Sequence, residues 1–134
     1  METNTVIAEI DAVHLEADLA LKNKDLNTYM ERFSDNLKYK QLNGKTIDKN
    51  QLLKDTLKYF NRIKNYSSNY DRLSFSIDND FFIEKITQKA VVTIQVFVFF
   101  SKKWAIEREG IYKWEKINNK WKIIDVEIIN EKLY

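Results

Sequence analysis

Residues 110–128 read GIYKWEKINNKWKIIDVEI. Apolar and polar residues alternate on both sides of Asn118-Asn119, the period-two signature of half-buried strands. Asparagine tolerates positive φ better than most side chains, so the Asn pair reads as the tight turn of a hairpin. A lone hairpin is marginal in water. The rest of the chain must therefore supply more sheet and a layer to cover it.

The same period extends upstream. Residues 104–117, WAIEREGIYKWEKI, form the first arm of the hairpin, and 120–129, KWKIIDVEII, the second. Residues 89–100, KAVVTIQVFVFF, read as a long central strand, and 72–86, RLSFSIDNDFFIEKI, as a strand bent or bulged at Asp78-Asn79-Asp80. On the central strand Val92, Ile94, Val96, Val98 and Phe100 make one wholly apolar face, with Thr93, Gln95, Phe97 and Phe99 on the other. On the last strand Ile124, Val126 and Ile128 share one face, and Trp121, Ile123, Asp125 and Glu127 the opposite one. A mixed face that still carries Phe97, Phe99, Trp121 and Ile123 predicts contact with a second copy of the chain, a homodimer.

The N-terminal half changes period. Residues 5–23 place Ile10, Val13, Ala17 and Leu21 on one helical face. A short second helix covers 25–33, with Asp25 as its cap, and a third covers 47–66, capped by Asp48, with Leu52, Leu53, Thr56, Phe60 and Ile63 as its stripe. Between them LKYKQLNGKTI alternates around Asn43-Gly44, a second hairpin signal. Helices first and antiparallel strands after predict an α+β fold, with three helices on the concave face of a curved sheet.

Composition bounds the function. The chain has 134 residues, one domain spanning 1–134, and no cysteine, which removes disulfides and thiolate chemistry. It has no proline and two glycines, so long elements and short turns are expected. Lys and Arg number 22 against 20 Asp and Glu, with the signs mixed along the chain, so nucleic acid is not an expected partner. The longest apolar run, 90–100, falls short of the ~20 residues of a membrane span. METNTVIAEIDAV lacks a basic leader region. A soluble, cytoplasmic protein is expected, without a membrane role.

The order of elements resembles the nuclear transport factor 2-like superfamily, which includes SnoaL-like polyketide cyclases, ketosteroid isomerases and scytalone dehydratases. ALKNKDLNTYMERFSDNLKY (20–39) resembles the junction between the first two helices, and 110–128 resembles the last hairpin. The resemblance covers nearly the whole chain and implies a cystatin-like cone whose open end is a pocket. Many members dimerise through the outer sheet face. It also implies that isomerase chemistry is missing here. The positions of the family's general base, oxyanion tyrosine and protonated acid fall at Gln41, Ala17 and Gly110, none of which performs that role.

The candidate site residues follow. His14, the sole histidine, lies about 40° from Ile10 on a helical wheel and is the acid–base candidate if it faces the cone. Its ordinary reading is a boundary histidine bonded to a neighbour. Tyr39 and Gln41 point to one side of the first strand, the side the resemblance implies faces the cavity, where they orient a ligand or simply fill the mouth. Tyr112 and Trp114 share a face with Gly110 and line or plug the pocket, and Tyr59 flanks the stripe of the third helix. Asp78, Asn79 and Asp80 lack the glycine and glutamate of a calcium loop. No metal or cofactor is expected. The expected function is binding of a small apolar ligand in the cone. The alternatives are a SnoaL-like isomerase, dehydratase or cyclase using His14 with Tyr39 or Tyr59, and a dimerisation module with a filled cone.

Overall fold

A computed structural model describes the backbone of residues 2–97 and 100–134, and the side chains of all of these but Val96 and Phe97. The order is α1 (Thr3–Lys22), α2 (Leu26–Glu31), β1 (Phe33–Lys40), β2 (Thr46–Ile47), α3 (Lys49–Phe60), β3 (Ile63–Asp78), β4 (Phe81–Phe97), β5 (Phe100–Ile117) and β6 (Lys120–Leu133). Six strands form one sheet in the order β2-β1-β6-β5-β4-β3. Only β1 and β6 run parallel; the other pairs are antiparallel. The α+β architecture with three helices is the one expected.

The turns follow local chemistry. Asn118 and Asn119 both take positive φ, 51° and 63°, and join β5 to β6. Gly44 sits at φ 87° in the β1–β2 hairpin. Asp25 and Asp48 cap α2 and α3 by accepting from Thr28 N at 3.2 Å and Gln51 N at 2.8 Å. The core lies between helix and sheet: Val6 and Ile10 of α1 and Met30 of α2 pack on Phe33, Leu37, Phe82, Ile86, Trp114, Ile123 and Val126.

Several boundaries differ from the sequence reading. Helix α3 stops at Phe60, and Ile63 opens β3. Tyr66, Ser68, Tyr70 and Arg72 alternate inward, so period two begins earlier than expected. The stretch 72–86 is not one strand. Asn79 takes φ 54°, and Asp78 pairs with Phe81, so Asp78-Asn79-Asp80 is the β3–β4 turn.

The face assignment of β6 is also corrected. Lys113 pairs with Asp125 but Trp114 pairs with Ile123, so Ile124 is an extra residue in β6. Such a bulge inverts side-chain parity. Trp121 and Ile123 therefore share the inner face with Val126 and Ile128, and all four are buried in the core. Neither Trp121 nor Ile123 belongs to an outer dimer surface. The other two residues assigned there, Phe97 by its side chain and Phe99 altogether, lie outside the described residues. Phe100, expected in the apolar inner face, is 63% exposed at the start of β5. No helix among the described residues is long and apolar enough to cross a membrane.

Candidate functional site

The inner face of β4 carries Phe82, Glu84 and Ile86, all buried, and Glu84 has no exposed surface at all. A carboxylate in that position must be hydrogen-bonded or it would not remain there. Three side chains meet the need. His14 Nε2 lies 2.8 Å from Glu84 Oε2, and Trp114 Nε1 donates to the same oxygen at 2.6 Å. Arg72 donates to Oε1 through Nε at 3.0 Å and contacts it through Nη2 at 3.0 Å. Arg72 Nη2 also donates to Asp11 Oδ1 at 2.8 Å, and Tyr70 Oη donates to that oxygen at 2.6 Å. The Tyr70 ring packs on the His14 ring with centroids 4.4 Å apart, and Trp114 meets His14 edge-on at 5.3 Å.

Burial pushes the Glu84 carboxyl up, but the hydrogen bond and charge of His14, with Arg72 and the Trp114 indole, hold it below the usual carboxylate range. Asp11 behaves alike: burial raises it, and Arg72 and Tyr70 bring it below its ordinary value. Glu84 is therefore ionised at neutral pH. An ionised carboxylate only accepts, so His14 Nε2 carries the proton of that contact. In the neutral imidazole the lone pair then lies on Nδ1. Nδ1 makes no hydrogen bond to protein among the described residues.

Two cavities open beside this cluster. One, of about 410 Å³, is lined by His14, Asp11, Ala17, Ser68, Tyr70 and Ile86, among others. The second, of about 380 Å³, is lined by Tyr39, Gln41, Thr56, Tyr59, Tyr66 and Arg108, among others. Leu21, Tyr29, Arg32, Gln88 and Tyr112 belong to both walls, so the two spaces adjoin. Burial pushes the Tyr66 phenol up to about 12 and raises Tyr39, Tyr59 and Tyr112 as well, which keeps these hydroxyls protonated at neutral pH. Arg108 Nε donates to Glu131 Oε2 at 2.8 Å.

Of the residues singled out from sequence, Tyr39, Gln41, Tyr59 and Tyr112 come together on one wall and His14 on the adjoining one. Trp114 does not line either cavity. It stands fully buried behind Glu84 as a hydrogen-bond donor. At Gly110, where the isomerase pattern places an acid, an added Cβ would lie 3.1 Å from Tyr112 Cε1 and 3.3 Å from the Glu127 carbonyl oxygen, so these neighbours would have to give way. No cluster of three or more His, Asp or Glu groups is placed to hold a metal among the described residues.

Sequence reasoning missed Glu84, Arg72, Asp11 and Arg32. Glu84 had a readable signal, a charge alternating with Phe82 and Ile86 on a core stripe. A bend or bulge at Asp78-Asn79-Asp80, in place of the turn, leaves the stripe's parity unreadable.

The sequence matches no protein-family model and no curated protein. Solved structures do match. A conserved protein from Planctomyces limnophilus superposes with a TM-score of 0.85 at 10% identity, over 98% of this chain and 99% of that one. A candidate scytalone dehydratase from Novosphingobium aromaticivorans gives 0.80 at 12% identity, over 98% and 90%. A nuclear transport factor 2-like protein of unknown function from Shewanella oneidensis gives 0.67 at 14%, over 91% and 97%. With its helices closing one face of a mostly antiparallel sheet, the chain has the cystatin-like α+β fold of the nuclear transport factor 2-like proteins.

Proposed function

We propose that the cone binds a small, largely apolar molecule and that His14, oriented by Glu84, moves a proton on it. The observation that carries this reading is the buried Nε2–carboxylate contact at 2.8 Å, with His14 on a cavity wall and Nδ1 without a hydrogen-bond partner among the described residues. A base needs its lone pair aimed at the reacting group and its other nitrogen held by an acceptor. Asp11 and Glu84 both contact the one guanidinium of Arg72, which fixes the carboxylate under His14. In the step, Nδ1 takes a proton from carbon beside a carbonyl, the C–H electron pair passes to the carbonyl oxygen, and the imidazolium then returns a proton. The similarity to a candidate scytalone dehydratase accords with proton-transfer chemistry in such a cone. Gln41, Ala17 and Gly110 argue against the ketosteroid-isomerase arrangement.

The test is deuterium exchange. Flat enolisable ketones such as 1-indanone and 2-tetralone are incubated with the protein in D2O and followed by NMR. Exchange above buffer is expected, falling ~10²-fold or more in His14→Gln. Exchange that His14→Gln leaves unchanged removes His14 from the chemistry.

A second reading, binding without catalysis, is favoured by the wall of Tyr39, Gln41, Tyr59 and Tyr112 around about 380 Å³ of space. Ketones that bind without exchanging support it. A filled cone fits less well, since Phe100 is exposed and Trp114 is buried behind Glu84, leaving about 380 Å³ of space lined by Tyr39, Gln41 and Tyr59.

A further inference from the structure

Arg32 stands at the junction of α2 and β1. Its backbone is pinned, because its carbonyl accepts from Ile123 N at 2.7 Å. Its guanidinium carbon lies 4.6 Å from the Tyr29 ring centroid and 4.8 Å from that of Phe33. The side chain belongs to the wall shared by the two cavities. Yet Nε is shut off from solvent without a hydrogen-bond partner, and the guanidinium makes no ion pair among the described residues. The other two arginines of the inner sheet face are matched: Arg72 by Asp11 and Glu84, Arg108 by Glu131.

A guanidinium so placed has given up part of its hydration for aromatic faces, and its Nε donor stays unfilled. The carboxylates on the two walls are not available to it. Asp11 is held by Arg72, Asp18 by Lys22, Asp55 by the Gln51 amide and Glu131 by Arg108. A second polar atom on the same space is also unmatched: the buried Tyr59 hydroxyl lines the cavity of about 380 Å³ and has no partner among the described residues.

We propose that Arg32 anchors an anionic group, and that the ligand is a small carboxylate on a flat apolar body. The planar fork of a guanidinium matches the two oxygens of a carboxylate. A single unmatched cation suits a singly charged anion better than a phosphate. The tyrosine-lined walls suit an aromatic-sized body. Such a ligand would lie with its charged end at the wall between the two spaces, within the reach of both. The inference rests on the reading that the cone binds a ligand and adds the ligand's charge.

The test uses matched probes on the full chain: benzoate, 2-naphthoate and 4-biphenylcarboxylate, each against its neutral amide, by isothermal titration calorimetry. The carboxylate of at least one pair is expected to bind about tenfold or more tighter than its amide. Arg32→Gln is expected to abolish that preference while retaining amide binding, and Arg32→Lys to keep part of it, since the charge remains but the fork is lost. In the unaltered chain the Arg32 Nε–H resonance should shift with the carboxylate and not with the amide, a readout that does not depend on any variant folding. Equal binding of acid and amide, or a preference that survives in Arg32→Gln, overturns the anion anchor and leaves the ligand-binding cone standing. Failure of every probe to bind overturns both.

Discussion

Two neighbouring regions of the interior handle buried polarity in opposite ways. Around Glu84 every strong group has a partner: two acids, a guanidinium, an indole, a phenol and an imidazole close on one another. Around Arg32 a cation sits between aromatic rings with its Nε unfilled, and the Tyr59 hydroxyl has no partner among the described residues either. A satisfied network rigidifies the structure that holds it. An unsatisfied group costs stability and persists where something other than folding makes use of it. The contrast separates a part of the molecule built to hold charge still from a part built to receive it.

The largest effect should come from breaking the satisfied region. Glu84→Ala strands Arg72, the Trp114 N–H and the His14 N–H together, and a loss of about 3–5 kcal/mol in urea denaturation is expected. A loss under ~1 kcal/mol would mean that the donors find new partners, and the contrast between the two regions would fall.

Acid should act on the same region. Glu84 and Asp11 are both held below their ordinary carboxylate values in the folded chain. Their stabilisation is therefore complete above the unfolded-state values and is withdrawn as pH falls through the folded-state ones. Stability measured by thermal melting should decline below about pH 5, and the decline should be shallower in Glu84→Gln, which cannot take up that proton. An equal slope in the two proteins would place the acid-sensitive groups elsewhere.

The smallest effect should come from the unsatisfied region. Tyr59→Phe removes a buried hydroxyl that has no partner among the described residues, so stability should stay level or rise by up to about 1 kcal/mol. A loss larger than that would reveal a partner for the hydroxyl and blur the distinction.

Much of the architecture was legible. The Asn118-Asn119 and Asn43-Gly44 turns, the Asp25 and Asp48 caps and the helix-then-strand order are local matters, set by φ preference, by hydrogen bonds across three residues and by period. His14 was legible as a face residue of α1 because helical spacing puts it beside Ile10. Its partner was not. Glu84 lies 70 residues away, and which face of β4 it takes depends on Asn79 turning the chain back. The pair Trp121 and Ile123 went to the wrong face because one extra residue at Ile124 resets the alternation, and a bulge leaves no mark on an apolar run.

The physical division is between short and long range. Backbone preferences, capping and periodicity act within a few residues, so the chain specified its elements, its fold class and the stripe that carries His14. Register, bulges and pairing are decided by what packs across the core. Only the folded molecule could bring Glu84 under His14, seat Trp114 behind it, and leave Arg32 without a counter-charge, because each of those contacts joins segments that sequence spacing does not relate.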